Sequence, residues 1–253
     1  MMIKKQLFLI LVLTTLLNAS HISIAVASNV SYAIEDLKKE FHKLYPHIKV
    51  RSTLGSSGKL TAQIKHKAPY QLFMSANMKY PQALYDENLA ITKPRIYAQG
   101  SLALVSSKTK DFSQSIQNLL LNKTIRKIAV ANPNTAPYGI ATKEALTHIK
   151  LYNKLKPKFI YGESISQTLS YAISASDIGF IAKSSLYSPK LSYLKEHKNW
   201  IDVDIKLYTP ISQGIVLLQK SNKDVKLFYD FMFSQKAQTI LKKFGYIIPS
   251  DNQ

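Results

Sequence analysis

Four short apolar runs in this chain each end at a turn of small, neutral residues, and each turn opens a helical pattern. The turns lie at residues 27–29, 55–58, 136–139 and 162–165. A helix start carries unpaired N–H groups and the positive end of the helix dipole, so each turn is a possible anion-binding corner. Repeated strand–helix alternation predicts an α/β fold with mainly parallel sheets covered by helices.

The alternation divides into two sets, which predict two lobes joined by more than one crossover. We expect one lobe to comprise residues 20–98 and 209–253, and the other residues 99–208. Within the second lobe, one continuous helix is expected over residues 142–155. Because ligands of open α/β sheets bind at the carboxyl ends of the strands, a cleft between the lobes would gather all four turns.

The first residues predict a secretory leader, covering residues 1–19. Lys4 and Lys5 form a basic start, and an apolar run follows at residues 7–17. That run is shorter than the roughly 17–25 apolar residues of a membrane-spanning helix, so we expect export to the periplasm with cleavage after Ala19. The chain contains no cysteine, which excludes disulfides, thiolate chemistry and a lipid-modified cysteine.

The chain is strongly basic, with 34 Lys and Arg against 15 Asp and Glu and a net charge of +19. Such a balance is compatible with nucleic acid, an anionic membrane or an anionic ligand. The lysines are scattered in ones and twos, whereas nucleic-acid patches favour blocks of five or six basic residues. We therefore interpret them as a solvated surface and expect no nucleic-acid partner.

One motif indicates an enzyme as a remote alternative. Ser56 and Lys59 match the S-x-x-K pattern of penicillin-recognising serine enzymes, and Ser250-Asp251-Asn252 supplies an S-D-N. However, no K-T-G occurs, and the S-D-N follows the last expected core element. The six histidines show no metal-ligand spacing. No cofactor and no direct cation ligand is therefore expected.

Several stretches resemble the periplasmic molybdate-binding proteins of ABC uptake systems. They are residues 55–64, 68–69, 72–76, 131–139, 161–167, 177–181 and 237–249, in the order that the family shows. The resemblance covers essentially the whole mature chain. It implies a monomeric, two-lobed periplasmic binding protein of type II, which closes on molybdate or tungstate and delivers it to an ABC permease in the inner membrane.

The resemblance also implies a set of ligand-binding residues, all of them neutral donors. Ser28 and Ser57 match positions that supply hydroxyl and backbone donors from the first lobe. Tyr138 and Ile165 match positions that supply backbone N–H groups from the second lobe. Asn29 matches a ligand position in a subset of the family.

This chain departs from the family at three positions. Some members add a tyrosine hydroxyl at a strand end, where this chain has Ala182, and we expect Asn29 or Tyr138 to compensate. Gln71 and Asn77 stand where the family usually has aspartates, and neither is an expected ligand.

The chemistry of the ligand leaves two other oxyanions to consider. Molybdate at neutral pH carries no proton and only accepts hydrogen bonds, whereas bound phosphate normally keeps a proton and needs a carboxylate acceptor. Glu163 is the only acid in the four turns, and we expect it to point away from the anion as a favourable charge at a helix start. Sulfate also only accepts hydrogen bonds, so donor chemistry leaves it open. Molybdate and tungstate, which nearly coincide in size and charge, are not separated either.

Overall fold

A computed structural model of the protein describes residues 20–108, 110 and 112–249, which form two α/β lobes. Each lobe is built around one five-stranded sheet. The expected leader, residues 1–19, lies outside the described residues. Within the described part of the chain, no helix is both long and apolar enough to cross a membrane.

The first lobe contains the sheet with strand order β2-β1-β3-β10-β4. Its strands are β1 (Ser20–Ala27), β2 (Ile48–Gly55), β3 (Leu72–Ser75), β4 (Arg95–Gly100) and β10 (Ile211–Leu217). Its helices are α1 (Ala33–Leu44), α2 (Ser57–Lys65), α3 (Lys79–Asp86), α8 (Lys223–Phe231) and α9 (Gln235–Lys243). The expected lobe boundary between residues 98 and 99 falls inside β4.

The second lobe contains the sheet with strand order β7-β6-β8-β5-β9. Its strands are β5 (Leu102–Val105), β6 (Ile128–Ala131), β7 (Phe159–Gly162), β8 (Ile178–Ala182) and β9 (Trp200–Asp202). Its helices are α4 (Ile116–Leu121), α5 (Pro137–His148), α6 (Tyr152–Leu155) and α7 (Ile165–Ser174). Short 3-10 helices lie at Ser28–Val30, Lys156–Lys158, Lys183–Tyr187, Pro189–Leu191 and Ile205–Leu207.

The chain passes between the two lobes twice. It leaves the first sheet at Gly100 and enters the second at Leu102, and it returns between β9 and β10. The strand that enters each sheet from the other lobe, β5 or β10, pairs antiparallel with both of its neighbours. The other strands of each sheet run in one direction. Each sheet is therefore mixed, although mainly parallel in strand direction as predicted.

Helix α1 illustrates why the sequence pattern predicts the helices of this fold. Ala33, Ile34, Leu37 and Phe41 are buried on one face, at the spacing that places residues on one side of a 3.6-residue helix. Acidic residues lie in its first turn, at the positive end of the helix dipole, and basic residues lie in its last turn, at the negative end. Both placements stabilise the helix. Local sequence alone therefore specifies this element.

Other elements differ from the sequence-based expectation. The single helix expected over residues 142–155 is wrong: α5 ends at His148, and α6 begins only at Tyr152. Between them Lys150 has φ 58°, a left-handed conformation that an α-helix cannot contain. The strands β4 and β9 and the helix α4 were not predicted, because they are short and partly exposed and give weak periodic signals.

Candidate functional site

The four small-residue turns come together at the cleft between the lobes. Strand β1 leads into the 3-10 helix Ser28–Val30, and β2 leads into α2, both in the first lobe. In the second lobe β6 precedes α5, and β7 leads into α7. The helices α2, α5 and α7 therefore direct their N-termini at the same region from opposite sides, as the sequence predicted.

A small cavity lies where these helix starts meet, and all five predicted site residues line it. The full lining is Ala27, Ser28, Asn29, Gly55, Ser56, Ser57, Ala76, Ala136, Pro137, Tyr138 and Ile165. The cavity measures about 10 Å³, on a scale where about 10–15 Å³ admits one water-sized body. The lobes therefore enclose only a small space at this point.

The polar groups of the cavity are mainly hydrogen-bond donors. Ser57, Tyr138 and Ile165 lie in the first turns of α2, α5 and α7, where an α-helix offers no acceptor to their N–H groups. No other backbone acceptor within the described residues bonds these three groups. The Ser57 hydroxyl oxygen accepts a hydrogen bond from the Ala76 N–H at 3.0 Å, which leaves its own proton available for a ligand.

Two further hydroxyls in the cavity wall are buried and have no partner. They belong to Ser28 and Ser56, whose residues are 4% exposed. A buried polar group without a hydrogen bond costs about 1–3 kcal/mol, so such groups are rare unless they await a ligand or water. The free hydroxyls and the free N–H groups together form a donor-rich wall that suits a ligand able to accept hydrogen bonds.

Ser56 also lines the cavity; the sequence analysis included it in the turn at residues 55–58 but did not name it as a ligand-binding residue. A serine that precedes a helix usually bonds a first-turn N–H group as a cap. Here Ser56 precedes α2 but makes no such bond, and its hydroxyl is free at the cavity wall. Nothing in the local sequence distinguishes a capping serine from a free one.

The compensation for Ala182 expected of Asn29 or Tyr138 stays a prediction, and the contacts of their side chains bear on which donors they could offer. The Asn29 amide nitrogen donates to Gln213 Oε1 and to the Tyr246 hydroxyl, both at 2.9 Å, so neither of its protons faces the cavity. The Tyr138 hydroxyl lies beside Gly100, where any side chain would collide with it. Ala182 itself is fully buried. The Asn29 amide protons are therefore committed to other residues, whereas the backbone N–H groups of Asn29 and Tyr138 bond no backbone acceptor within the described residues.

The Asn29 side chain is held by a turn at the other end of the chain. Helix α9 ends in a Schellman motif: Gly245 N–H bonds to Lys242 O, and Tyr246 N–H bonds to Leu241 O. Gly245 has φ 73°, which glycine adopts without strain. This turn positions Tyr246 so that its hydroxyl reaches Asn29.

The cavity contains no formal charge. No Asp, Glu, Lys, Arg or His is among its lining residues in the described chain. Burial, with smaller contributions from neighbouring tyrosines, raises the pKa of Tyr138 well above its ordinary value. Burial also raises the pKa of Tyr246 to about 12. Both phenols are therefore neutral throughout the physiological range.

The cavity is closed on one side by direct contact between the lobes. The Gly58 N–H of α2 donates to the Thr135 carbonyl of the second lobe at 2.9 Å. A Cβ atom at Gly58 would lie 3.0 Å from the Thr135 Cα and carbonyl oxygen and 2.8 Å from the Tyr80 hydroxyl. Glycine at this position therefore allows the two backbones to meet.

The departures at Gln71 and Asn77 lie outside the cavity lining, as expected. Gln71 Oε1 accepts a hydrogen bond from the Ser23 N–H at 2.9 Å, and Asn77 Oδ1 accepts from the Tyr80 N–H at 3.3 Å. Glu163 is exposed and does not line the cavity, also as expected. Gln71 and Asn77 therefore bond backbone N–H groups of their own lobe and do not line the cavity.

The serine-enzyme pattern is not assembled in the described chain. Lys59 is exposed, and the Ser56 hydroxyl has no hydrogen-bond partner that could remove its proton. The S-D-N tripeptide at residues 250–252 lies outside the described residues. Nor do the described residues contain a group of three or more His, Asp or Glu side chains placed to hold a metal ion.

Comparisons with known proteins agree with this geometry. The family model for the bacterial extracellular solute-binding protein matches residues 22–247. The chain is 32% identical to the molybdate-binding protein ModA of Azotobacter vinelandii over 232 residues, 90% of each chain. It is 30% identical to ModA of Rhodobacter capsulatus, over 90% of this chain and 89% of the relative.

The structural comparison gives the same result. The periplasmic molybdate-binding protein of Azotobacter vinelandii superposes with a TM-score of 0.83 at 31% identity, covering 90% of this chain and all of that one. Two mixed sheets joined by two crossovers, with a closed site between them, define a type II periplasmic binding protein. The chain belongs to the family of bacterial extracellular solute-binding proteins.

Proposed function

We propose that this protein captures molybdate, and also tungstate, in the cavity between its lobes and delivers it to an ABC permease. The observation that carries the proposal is the set of buried donors that have no partner: the Ser28 and Ser56 hydroxyls and the first-turn N–H groups of α2, α5 and α7. An ion that only accepts hydrogen bonds satisfies all of them, and two molybdate-binding relatives are 30–32% identical to the chain.

We propose that Ser28, Asn29, Ser57, Tyr138 and Ile165 bind the ion, with Ser56 as an additional donor. Hydrogen bonds to a charged group contribute about 1.5–3 kcal/mol each. About six of them, less the costs of desolvation and lobe ordering, leave about 8–12 kcal/mol, which corresponds to a micromolar to nanomolar constant. Helix N-termini strengthen these bonds where water is excluded.

The protein acts as a carrier, without chemical change to its ligand and without a cofactor. Export by the leader would place it in the periplasm, where it binds the ion as a monomer before docking on the permease. The alternative is another tetrahedral oxyanion. A neutral cavity without a carboxylate disfavours phosphate, and rigidly spaced donors disfavour the smaller sulfate, which leaves some of them unpaired.

Calorimetric titration of the mature protein tests the proposal. Molybdate and tungstate are expected to bind with micromolar or lower dissociation constants, sulfate at least about 100-fold more weakly, and phosphate not measurably. A protein that binds sulfate or phosphate more tightly than molybdate would refute the assignment of the ligand. A protein that binds none of the four would refute the carrier function.

Replacing Ser57 by alanine is expected to weaken molybdate binding at least tenfold, because the variant loses one hydroxyl bond to a dianion, about 1.5–3 kcal/mol. Ser56→Ala is expected to weaken binding in the same direction. Both affinities are measured by calorimetry. Ser52→Ala, on β2 away from the cavity, is the matched control. If Ser57→Ala binds like the parent, Ser57 is not a ligand through its hydroxyl.

The affinity for molybdate is expected to change less than threefold between pH 6 and pH 9, because no lining group ionises there. The raised pKa values of Tyr138 and Tyr246 keep both phenols neutral in this range. Because both pKa values are higher in the folded protein than in the unfolded chain, these phenols contribute fully to folding stability below about pH 10, the pKa of an unfolded tyrosine. That contribution is lost as the pH rises through the higher pKa values of the folded protein. Titrations at four pH values and alkaline unfolding curves measure both effects. A tenfold change in affinity within pH 6–9 would show that an ionisable group contacts the ligand.

A further inference from the structure

The binding turn, defined as Ser28 and Asn29, belongs to the first lobe, but its carbonyl groups accept hydrogen bonds from two serines of the second lobe. The Ser166 hydroxyl of α7 donates to the Ser28 carbonyl at 2.9 Å. The Ser184 hydroxyl, in the 3-10 helix that follows β8, donates to the Asn29 carbonyl at 3.0 Å. Both bonds join the two lobes in the closed arrangement that the structure shows.

We propose that Ser166 and Ser184 form an interlobe latch, which holds the protein closed on its ion and strengthens the donors of the binding turn. The proposal rests on the function proposed above and adds two residues that do not line the cavity themselves. They are positioning residues, since they act on the ion only through the binding turn.

The latch is linked to the cavity by covalent geometry. The Ser28 carbonyl and the Asn29 N–H belong to the same peptide unit, so a hydrogen bond to that carbonyl polarises the N–H group. Hydrogen bonds in such chains strengthen one another by about 10–30%. The Ser166 bond therefore makes the Asn29 N–H a better donor to an anion, although the Asn29 side chain is engaged elsewhere.

A residue of the first lobe, Tyr246, contacts both groups of the hydrogen bond between Ser184 and Asn29. Tyr246 donates its hydroxyl to the same Asn29 carbonyl at 2.9 Å and lies 3.3 Å from the Ser184 oxygen. The Ser184 and Asn29 residues are 5% and 2% exposed. In this buried setting a carbonyl that accepts two hydroxyl donors is fully satisfied only when the lobes meet. Separation of the lobes breaks one of the two bonds and hydrates Ser184.

Because the latch forms only on closure, its removal is expected to change the release of the ion and not its capture. Ser166→Ala and Ser184→Ala should each raise the dissociation rate of molybdate about three- to tenfold, because each variant loses one neutral hydrogen bond. The double variant should raise this rate at least about tenfold. Association rates should stay within twofold of the parent. Ser166→Thr, which keeps the hydroxyl, should restore slow release.

The rates can be measured by stopped-flow fluorescence of Trp200, the only tryptophan, which packs in the same cluster as Tyr32 of the first lobe. The matched control is Ser170→Ala, because Ser170 lies on α7 and its hydroxyl donates to the Ser166 carbonyl within the same helix. Melting of the ion-free variants gives a second readout. A latch leaves the ion-free melting temperature unchanged and reduces the upward shift caused by molybdate.

Three results would overturn the latch. Variants that release molybdate at the parental rate would show that the crossing bonds contribute nothing. Variants whose ion-free melting temperature falls as much as the ion-bound one would show a merely structural role. A parent that binds no molybdate would overturn the proposed function and the latch with it, and calorimetry on the parent identifies that case before any variant is made.

Discussion

Ser28→Asp is expected to reduce molybdate binding at least 1000-fold, the largest effect of any single substitution considered. The side chain at this position is buried in the cavity wall, and its hydroxyl has no protein partner. A carboxylate there would face a dianion. Two unit charges about 4 Å apart repel by about 4 kcal/mol at an effective dielectric constant of 20, and the second charge of the ion roughly doubles this. Equilibrium dialysis or calorimetry with molybdate measures the loss.

Ser28→Asn is the matched control, because it has nearly the same size as aspartate without the charge. It is expected to retain far more affinity than Ser28→Asp, with only the cost of altered packing and one lost hydroxyl. Melting of both ion-free variants checks that neither is unfolded. Equal affinities for the two variants would show that shape, not charge, decides the effect, and near-parental binding by Ser28→Asp would mean that the ion binds elsewhere.

Gly58→Val is expected to weaken molybdate binding at least about 100-fold without destabilising the ion-free protein. A Cβ at this position would lie 3.0 Å from the Thr135 backbone of the opposite lobe. Overpacking against rigid backbone costs about 1–3 kcal/mol. Lobes that stay apart instead lose the donors of the second lobe, at about 1.5–3 kcal/mol each. Within the first lobe the new Cβ meets only the end of the Tyr80 side chain, which can turn away, so the clash with rigid backbone exists only between the lobes.

The control for Gly58→Val is Lys59→Val, which places the same side chain one residue further along α2 at an exposed position. It is expected to bind molybdate like the parent, and that result would also show that the Lys59 side chain does not contribute to binding of the ion. Small-angle scattering with saturating molybdate should show a larger radius of gyration for Gly58→Val than for the parent or for Lys59→Val. A Gly58→Val protein that closes and binds normally would contradict the assigned route of closure.

The sequence predicted much of the cavity because its signals are local. Small neutral residues between an apolar run and a helical pattern mark each corner, and Ser28, Asn29, Ser57, Tyr138 and Ile165 all line the same space in the structure. The resemblance to the molybdate-binding family indicated which residue of each turn to choose. Whether each of them contacts the ion stays a prediction.

What the sequence did not predict depends on contacts between distant residues. Asn29 loses its amide donors to Gln213 and Tyr246, which follow it by 184 and 217 residues. Ser166 reaches Ser28 across 138 residues. No local pattern encodes such pairs. The reversed direction of β5 and β10 was not predicted for a related reason, since strand direction follows from where the chain crosses between lobes.

The break between α5 and α6 was not predicted although it is a local feature. The apolar spacing over residues 142–155 continues through the break, so periodicity alone predicts one helix. Lys150 adopts φ 58° without being glycine or asparagine, the residues that usually mark such a turn. The position that ends α5 therefore carries no recognisable stop signal.

The most direct test of the account is a crystal structure of the mature protein with molybdate, with anomalous diffraction recorded at the molybdenum absorption edge. We expect one strong anomalous peak in the cavity between Ser28, Ser57 and Ile165, with only hydroxyl and backbone N–H groups within hydrogen-bond distance of the ion. A peak outside that cavity, or a lysine or arginine side chain bonded directly to the ion, would contradict the claim that uncharged donors from two lobes enclose it.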